Sequence, residues 1–469
     1  WTLNNRLFHA AIFISGLSAL IYQLIWVRLL GLVFGVSSFA VATVVAVFLL
    51  GLGLGSYFFG KWSERTDNPL RIYMFVEVGI AVASVASYLV IEHLPVYRYL
   101  YEFSYNHLDL YGLSVVRLLL SVAVLLPPVF LIGGTMPLVT KYAVTVPATL
   151  GSGFSKLYYL NTLGAFCGAL LTGFVLIKNL GVFTTLMIAV GGNLLVAGII
   201  GVSKSSVEPV TQPSETAAPY SYMLVVLFLT GFISLSYEIL WVRILSTYGL
   251  STSQAFALIV AGFLLGFSVG SILVSRGIDR RNDLAAIFSR VCILTALSGA
   301  LVLLLFRRFE ALTVFLEKSL PAGLLTTSLA MAFVASFIPA VFMGILFPLG
   351  LKIYSHDVHR IGAKAGNILL SNTAGCVLGS LLTGFVLIPF VGMWNTTLIL
   401  VNLSLLIALA LLLRTRDASR GHWAALLVVG VLANLLVFSD NKTFHNEMKG
   451  LDVIYYAEGL SGTVTVLGN

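Results

Sequence analysis

Ser15-Gly-Leu-Ser-Ala-Leu-Ile-Tyr-Gln-Leu-Ile-Trp-Val-Arg28 returns 215 residues later as Thr230-Gly-Phe-Ile-Ser-Leu-Ser-Tyr-Glu-Ile-Leu-Trp-Val-Arg243. Each copy lies in an apolar run of about twenty residues or more, long enough to cross a bilayer core as a helix. At the same offset Ala40, Phe48, Gly51, Gly55 and Ser56 match Ala255, Phe263, Gly266, Gly270 and Ser271. Farther along the offset becomes 211: Pro128, Pro137 and Lys141 match Pro339, Pro348 and Lys352, and Asn161, Gly164, Gly168 and Phe174 match Asn372, Gly375, Gly379 and Phe385. The chain is therefore two copies of one unit.

Apolar runs recur at 8–30, 36–60, 70–92, 113–141, 154–177 and 180–202, then at 220–245, 252–276, 284–306, 323–354, 363–389 and 393–413, with a thirteenth at 421–438. The spacing predicts an all-α polytopic membrane protein. Hydrophobic residues are 59% and charged residues 10% of the 469, with a mean hydropathy of +1.00, far outside soluble composition. Long runs of this kind exclude a β-barrel, whose strands alternate over short segments. Six spans is an even number, so both copies enter the membrane from one side. Parallel six-span repeats are the major-facilitator plan.

The expected domains are a first repeat over 1–202, a cytoplasmic linker over 203–219, a second repeat over 220–413, a thirteenth helix over 414–438, and a further piece over 439–469. Trp1 is not Met, and the chain stops directly after a strand-like run, so a longer protein is expected. Lys and Arg are about twice as frequent on the side holding the N-terminus, which puts that side in the cytoplasm of a bacterial inner membrane. The thirteenth run would then carry the tail to the periplasmic face; a re-entrant helix is the alternative. The net charge of +8 belongs to these loops and does not point to nucleic acid. The lipid bilayer is the expected partner. Tyr-rich Leu94–Gly112 and its counterpart Arg307–Gly323 read as amphipathic helices in the headgroup region, or as docking surfaces for a protein partner.

These repeat motifs, with Gly51-Leu-Gly-Leu-Gly-Ser56 and Tyr158-Tyr-Leu-Asn-Thr-Leu-Gly164, resemble a bacterial family of fused major-facilitator/spermidine-synthase proteins. The tail Tyr455-Tyr-Ala-Glu458-Gly-Leu-Ser-Gly-Thr463-Val-Thr-Val466 is similar to the opening β-hairpin of a spermidine-synthase-like domain. The resemblance implies an aminopropyltransferase-like domain beyond Asn469 and a polyamine as ligand. No position matches that family's glycine loop or catalytic Asp, so no catalytic residue and no cofactor is assigned. True facilitators carry an Asp and Arg-rich signature after the second span. Here Gly55-Ser-Tyr-Phe-Phe-Gly-Lys61 lacks the Asp, and the copy has Asp279 shifted.

Ionisable groups inside spans are costly and are either functional or paired. Glu77 and Glu238 are candidate proton- or cation-binding residues, read as a pair facing a central cavity or as carboxylates each paired with a nearby Arg or Tyr to stabilise the bundle. Glu238 stands where the first copy has Gln23, so the repeat loses its symmetry there. Gln23, Asn161 and Asn372 join them as candidate substrate- or proton-binding residues, the two asparagines lying within glycine-rich helices, where amides hydrogen-bond across helices. Trp26, Arg28, Trp241 and Arg243 read as interfacial anchors. Pro127, Pro128, Pro137, Pro339 and Pro348 are expected to break helices four and ten. The cysteines Cys167, Cys292 and Cys376 lie apart in apolar runs, and His356 and His359 have no further ligands nearby, so no metal site is expected. Three functions follow: the membrane domain of a synthase-like fusion, a transporter of polyamines or another small solute, or a structural subunit of a membrane complex.

Overall fold

The computed structural model describes residues 5–34, 38–93, 95–202, 221–247, 253–307, 315, 324–355, 358, 360–414, 420–440, 452–458 and 463–468. The first half comprises α1 (Asn5–Phe34), α2 (Ser38–Ser63), α3 (Pro69–His93), α4 (Pro95–His107), α5 (Leu110–Ala143), α6 (Leu150–Leu170) and α7 (Ile177–Gly201). The second comprises α8 (Tyr222–Thr247), α9 (Ser253–Ser275), α10 (Leu284–Arg307), α11 (Leu324–Tyr354), α12 (Ile361–Leu382) and α13 (Met393–Leu412). Then come α14 (Arg420–Asp440) and the strands β1 (Asp452–Glu458) and β2 (Thr463–Gly468).

Among the described residues eleven helices are long and apolar enough to span. The longest, Leu150–Gly201, has 52 residues, more than twice what a hydrocarbon core needs. It is broken at Gly181 (φ 77°, ψ 175°), a conformation open to glycine and costly for other residues. Eleven plus this division gives twelve crossings. The second half repeats the device 211 residues on, where Gly392 (φ 86°, ψ 161°) separates a last helical turn, Ile388–Val391, from α13. Each break is preceded by a widened π-helical segment, Leu171–Leu176 and Thr383–Leu387.

The same close approaches recur in both halves. A Cβ on Gly16 would lie 2.1 Å from the Asn161 carbonyl oxygen, and one on Gly231 would lie 2.1 Å from that of Asn372. Gly164 meets Phe13 backbone as Gly375 meets Phe228, and Gly55 meets Phe130 as Gly270 meets Val341. Small residues let backbones touch where no hydrophobic effect drives helices together. Leu119, Leu195, Leu301 and Leu406 remain exposed, forming the apolar belt a bilayer covers.

Several expectations need correction. The prolines of α5 and α11 do not break their helices, which run continuously through Pro127, Pro128, Pro137, Pro339 and Pro348. Trp26 and Trp241 are not interfacial anchors. They are 0% and 1% exposed, stacked on Tyr22 and Tyr237 with centroids 5.5 and 5.1 Å apart. Arg243 is likewise buried, while Arg28 is exposed. The linker 203–219 and His356 and His359 lie outside the described residues, as does the second amphipathic stretch apart from Arg307 and Phe315.

The first amphipathic stretch forms α4. Tyr99, Phe103 and His107 stack along its exposed face, with centroids 6.4 and 4.3 Å apart, while Tyr101 faces inward and is buried. Asp109 caps the next helix by accepting the Gly112 N–H at 2.8 Å. The thirteenth helix, α14, packs on α10 and α13. The Asn434 and Asn402 amides hydrogen-bond each other reciprocally at 2.9 and 3.1 Å. The tail is an antiparallel hairpin, with Tyr456 opposite Thr465 and an irregularity between Val453 and Tyr455.

Candidate functional site

The two halves meet along α2 against α12 and α6 against α9. On the side of the N-terminus this seam closes through two equivalent constructions. Glu64, just after α2, accepts the Ala363 N–H at 3.1 Å at the start of α12, and its other oxygen pairs with Lys141 Nζ at 2.5 Å. Asp279, 215 residues later, accepts the Gly151 and Ser152 N–H groups at 2.9 and 2.8 Å at the start of α6, and pairs with Lys352 at 3.0 Å. In each, a carboxylate from one half caps a helix of the other. Unsatisfied N–H groups and the dipole make a helix start favourable for negative charge. Both constructions lie on one face of the membrane, so the axis relating the halves runs along the membrane normal.

Glycines bring the backbones together beside these latches. Gly366 meets the Ser56 carbonyl, and a Cβ on Gly60 would lie 2.8 Å from the Gly362 oxygen. Ser268 and Ser271 donate across the seam to the Tyr159 and Ser155 carbonyls at 3.1 and 3.0 Å. Burial alone would raise the Asp279 carboxyl, but hydrogen bonds from Ser152, Lys352 and Gly151 outweigh it and hold the group below the usual aspartate range. Glu64 and Asp279 thus hold equivalent places, each just after the second helix of its half. The signal was present in the sequence as two acids at the repeat offset.

Glu77 is fully buried inside the first half. Ser15 Oγ donates to Glu77 Oε1 at 2.6 Å, Asn193 Nδ2 donates to Oε2, and Tyr22 donates to Asn193 Oδ1 at 2.9 Å. At the matching place in the second half stand Cys292 and Ser404, and the Tyr237 hydroxyl is buried without a hydrogen bond among the described residues. Glu238 is half-buried elsewhere, on α8 beside Cys376 at the seam. The structure does not bring Glu77 and Glu238 together.

Among the described residues no hydrogen bond or ion pair reaches Glu238 or Gln23. Both flank the positions of α8 and α1, Leu235 and Leu20, that enter the apolar cluster between the halves. Asn372 Nδ2 bonds the Leu227 carbonyl at 3.1 Å, and its Oδ1 lies 3.9 Å from Cys376 Sγ. Asn161 is half-buried against α1. The π-helical segments also reach this seam, touching α9 and α2, and the Thr172 and Thr383 hydroxyls are buried there with no partner among the described residues.

Two parallel six-span halves closed on one face by paired latches define a membrane protein of the major-facilitator fold. No protein-family model matches the chain, and no curated protein matches its sequence. Solved structures match its shape. The E. coli fucose:proton symporter FucP matches at a TM-score of 0.54 and 14% identity, covering 88% of this chain and 98% of that one. A second structure of FucP, in the outward conformation, matches at 0.54 and 13% over the same shares. The nucleoside transporter NupG matches at 0.50 and 10%, over 86% and 98%.

Proposed function

We propose that this chain is a facilitator-type transporter of the bacterial inner membrane, working by alternating access between its halves, with the N-terminal side in the cytoplasm. The pair of cross-half latches carries the reading: a purely structural bundle has no need of two equivalent carboxylates that hold a single face shut. Each latch is a discrete contact that opens as a unit, which suits a two-state element better than a packed core. The substrate site is assigned to the seam at Glu238, Gln23, Asn161 and Asn372. An unpartnered carboxylate in the membrane interior suits a proton or an organic cation.

A second reading adds an aminopropyltransferase-like domain after the Tyr455–Val466 hairpin and a polyamine as substrate. It rests on the resemblance of the hairpin's sequence alone. The test is uptake of labelled spermidine, a sugar and a nucleoside into proteoliposomes, with Glu238→Gln as the variant. Spermidine uptake lost in Glu238→Gln supports the polyamine reading. Uptake of a different solute replaces the substrate and keeps the transporter. Uptake of none of the three by a correctly inserted chain would count against the transporter reading.

A further inference from the structure

Between the latch at Gly151 and the apolar cluster at Ala165, a rise of about 20 Å along α6, the seam is not fully packed. Phe154, Tyr158, Asn161 and Ala165 recur at helical spacing and form one face of α6. That face looks across the seam: the Phe154 and Tyr158 rings lie 5.8 and 5.0 Å from the Phe347 ring of α11 in the other half. Cys376, Leu235 and Leu20 enter the cluster between the halves, and Asn372, Glu238 and Gln23 stand one turn from them on α12, α8 and α1. The Cys376 thiol is within electrostatic reach of both Glu238 and Tyr158, which puts acid and ring around one space. Phe154 and Phe347 are 0% and 6% exposed, whereas Tyr158, Asn161, Gln23, Glu238 and Asn372 are only half-buried. The room in the seam is at these groups.

Two features of that space select a solute. Glu238 is the only Asp or Glu in α1, α2, α6, α8, α9, α11 and α12, and among the described residues no hydrogen bond or ion pair reaches it. One free carboxylate matches one positive charge; a polyamine brings further charges that no other acid on these helices meets. The second feature is Tyr158. Its ring rests on two buried rings, nearly parallel to Phe154 at 6.3 Å and tilted 36° from Phe347. It is thus held as a flat surface beside the acid, suited to stack a ring and to attract a cation. The repeat supplies neither feature twice: Glu238 corresponds to Gln23, Tyr158 to Leu369, Phe154 to Ala365 and Phe347 to Met136.

Taking the transport reading of the seam as given, we infer that its site selects a monovalent aromatic ammonium ion, the ammonium at Glu238 and the ring on Tyr158. The test uses the full chain in phosphatidylcholine nanodiscs and equilibrium dialysis of labelled 2-phenylethylamine, corrected by protein-free discs. The expected result is saturable binding, with hexylamine, equal in charge but lacking the ring, about fivefold weaker as a competitor, and neutral 2-phenylethanol without effect. Tyr158→Leu, the residue of the other copy, should weaken 2-phenylethylamine about five- to tenfold and leave hexylamine unchanged, while Tyr158→Phe keeps the preference. Glu238→Gln should weaken both amines. Size exclusion and the thermal midpoint check that the variants fold; the comparison of ring with alkyl chain needs no variant. Absence of saturable binding, equal competition by hexylamine, or a folded Tyr158→Leu that keeps the preference would each overturn the inference, and proteoliposomes that still take up another solute would leave transport standing. Binding as expected without uptake of any solute would count against transport and uphold the site.

Discussion

Replacing Asp279 by Ala removes the acceptor of two backbone N–H groups and the partner of Lys352 in one step. The carboxylate receives bonds at 2.9 and 2.8 Å and an ion pair at 3.0 Å, with side chains only 12% and 16% exposed. Removing one member of a largely buried pair costs about 3–5 kcal/mol where water cannot enter. These groups lie at the membrane rim, so water recovers part of that, leaving about 2–4 kcal/mol for the closed state, or roughly 30- to 1000-fold in the closed-to-open ratio. Asp279→Asn keeps an oxygen acceptor and should cost less. Glu64→Ala should act in the same direction, and the double variant should approach the sum, because the latches share no partner. Spin labels at Asp67 and Arg281, exposed residues on the latch face of the two halves, report the opening by pulsed electron resonance. The expected outcome is a growing population at longer distance from wild type to single to double variant. A double variant that folds and keeps the wild-type distance distribution would refute the latch.

Because hydrogen bonding holds the Asp279 carboxyl below the ordinary value of 3.8, the Asp279 latch is fully present above that value and is lost only as pH falls through the lower folded value; the same spin-label pair should show no opening between pH 7 and 5, and opening in that window would contradict the assignment. Glu77→Leu should destabilise the first half by about 2–4 kcal/mol, because Ser15 and Asn193 lose a buried acceptor, and Glu77→Gln by less; thermal unfolding in detergent measures both. Gly164→Val puts a side chain where a Cβ already lies 2.0 Å from the Phe13 carbonyl oxygen, so α1 and α6 must part and the thermal midpoint must fall, while Gly198→Ala, with open space around it, should leave it unchanged. Thr463→Cys should react with an impermeant thiol reagent in intact spheroplasts if α14 crosses the membrane, and reaction only after lysis would favour a re-entrant helix.

The fold was legible because its two strongest signals, apolar length and in-register repetition, do not depend on which face of a helix looks where. The site was less so. In a membrane both the lipid-facing and the protein-facing sides of a helix are apolar, so Trp26 and Trp241 look like interfacial anchors in sequence and prove to be core. Glu77 and Glu238 were both visible as acids within spans, but sequence spacing does not tell the interior of one half from the seam between two. Arg117 is visible in the same way, as a cation inside an apolar run. The two latch acids stand at the repeat offset, but their partners were hidden for another reason. The latches join residues far apart in sequence, Glu64 to Ala363 and Asp279 to Gly151, through backbone N–H groups that carry no side-chain signature. The π-helical segments likewise have no compositional mark beyond their own repetition.

The repeat separates what the architecture requires from what a particular ligand requires. Positions that build and close the bundle are kept in both copies: Gly164 with Gly375, Gly181 with Gly392, Lys141 with Lys352, and an acid at Glu64 and Asp279. A rocking pair of halves needs these twice, because each half must fold and each must latch onto the other. Positions that carry unshared chemistry differ: Gln23 corresponds to Glu238, Glu77 to Cys292, Glu92 to Arg307 and Arg117 to Ser328. A solute without two-fold symmetry is bound by residues that break the two-fold, so the divergent positions are the ones to assign to ligands. Of these, Glu77 is already satisfied by Ser15 and Asn193 and is needed to hold α1, α3 and α7 together. Glu238 has no such partner among the described residues and lies where the halves part. Under the transport reading we propose, that difference makes Glu238, rather than Glu77, the carboxylate to test for protonation or ligation coupled to opening of the seam.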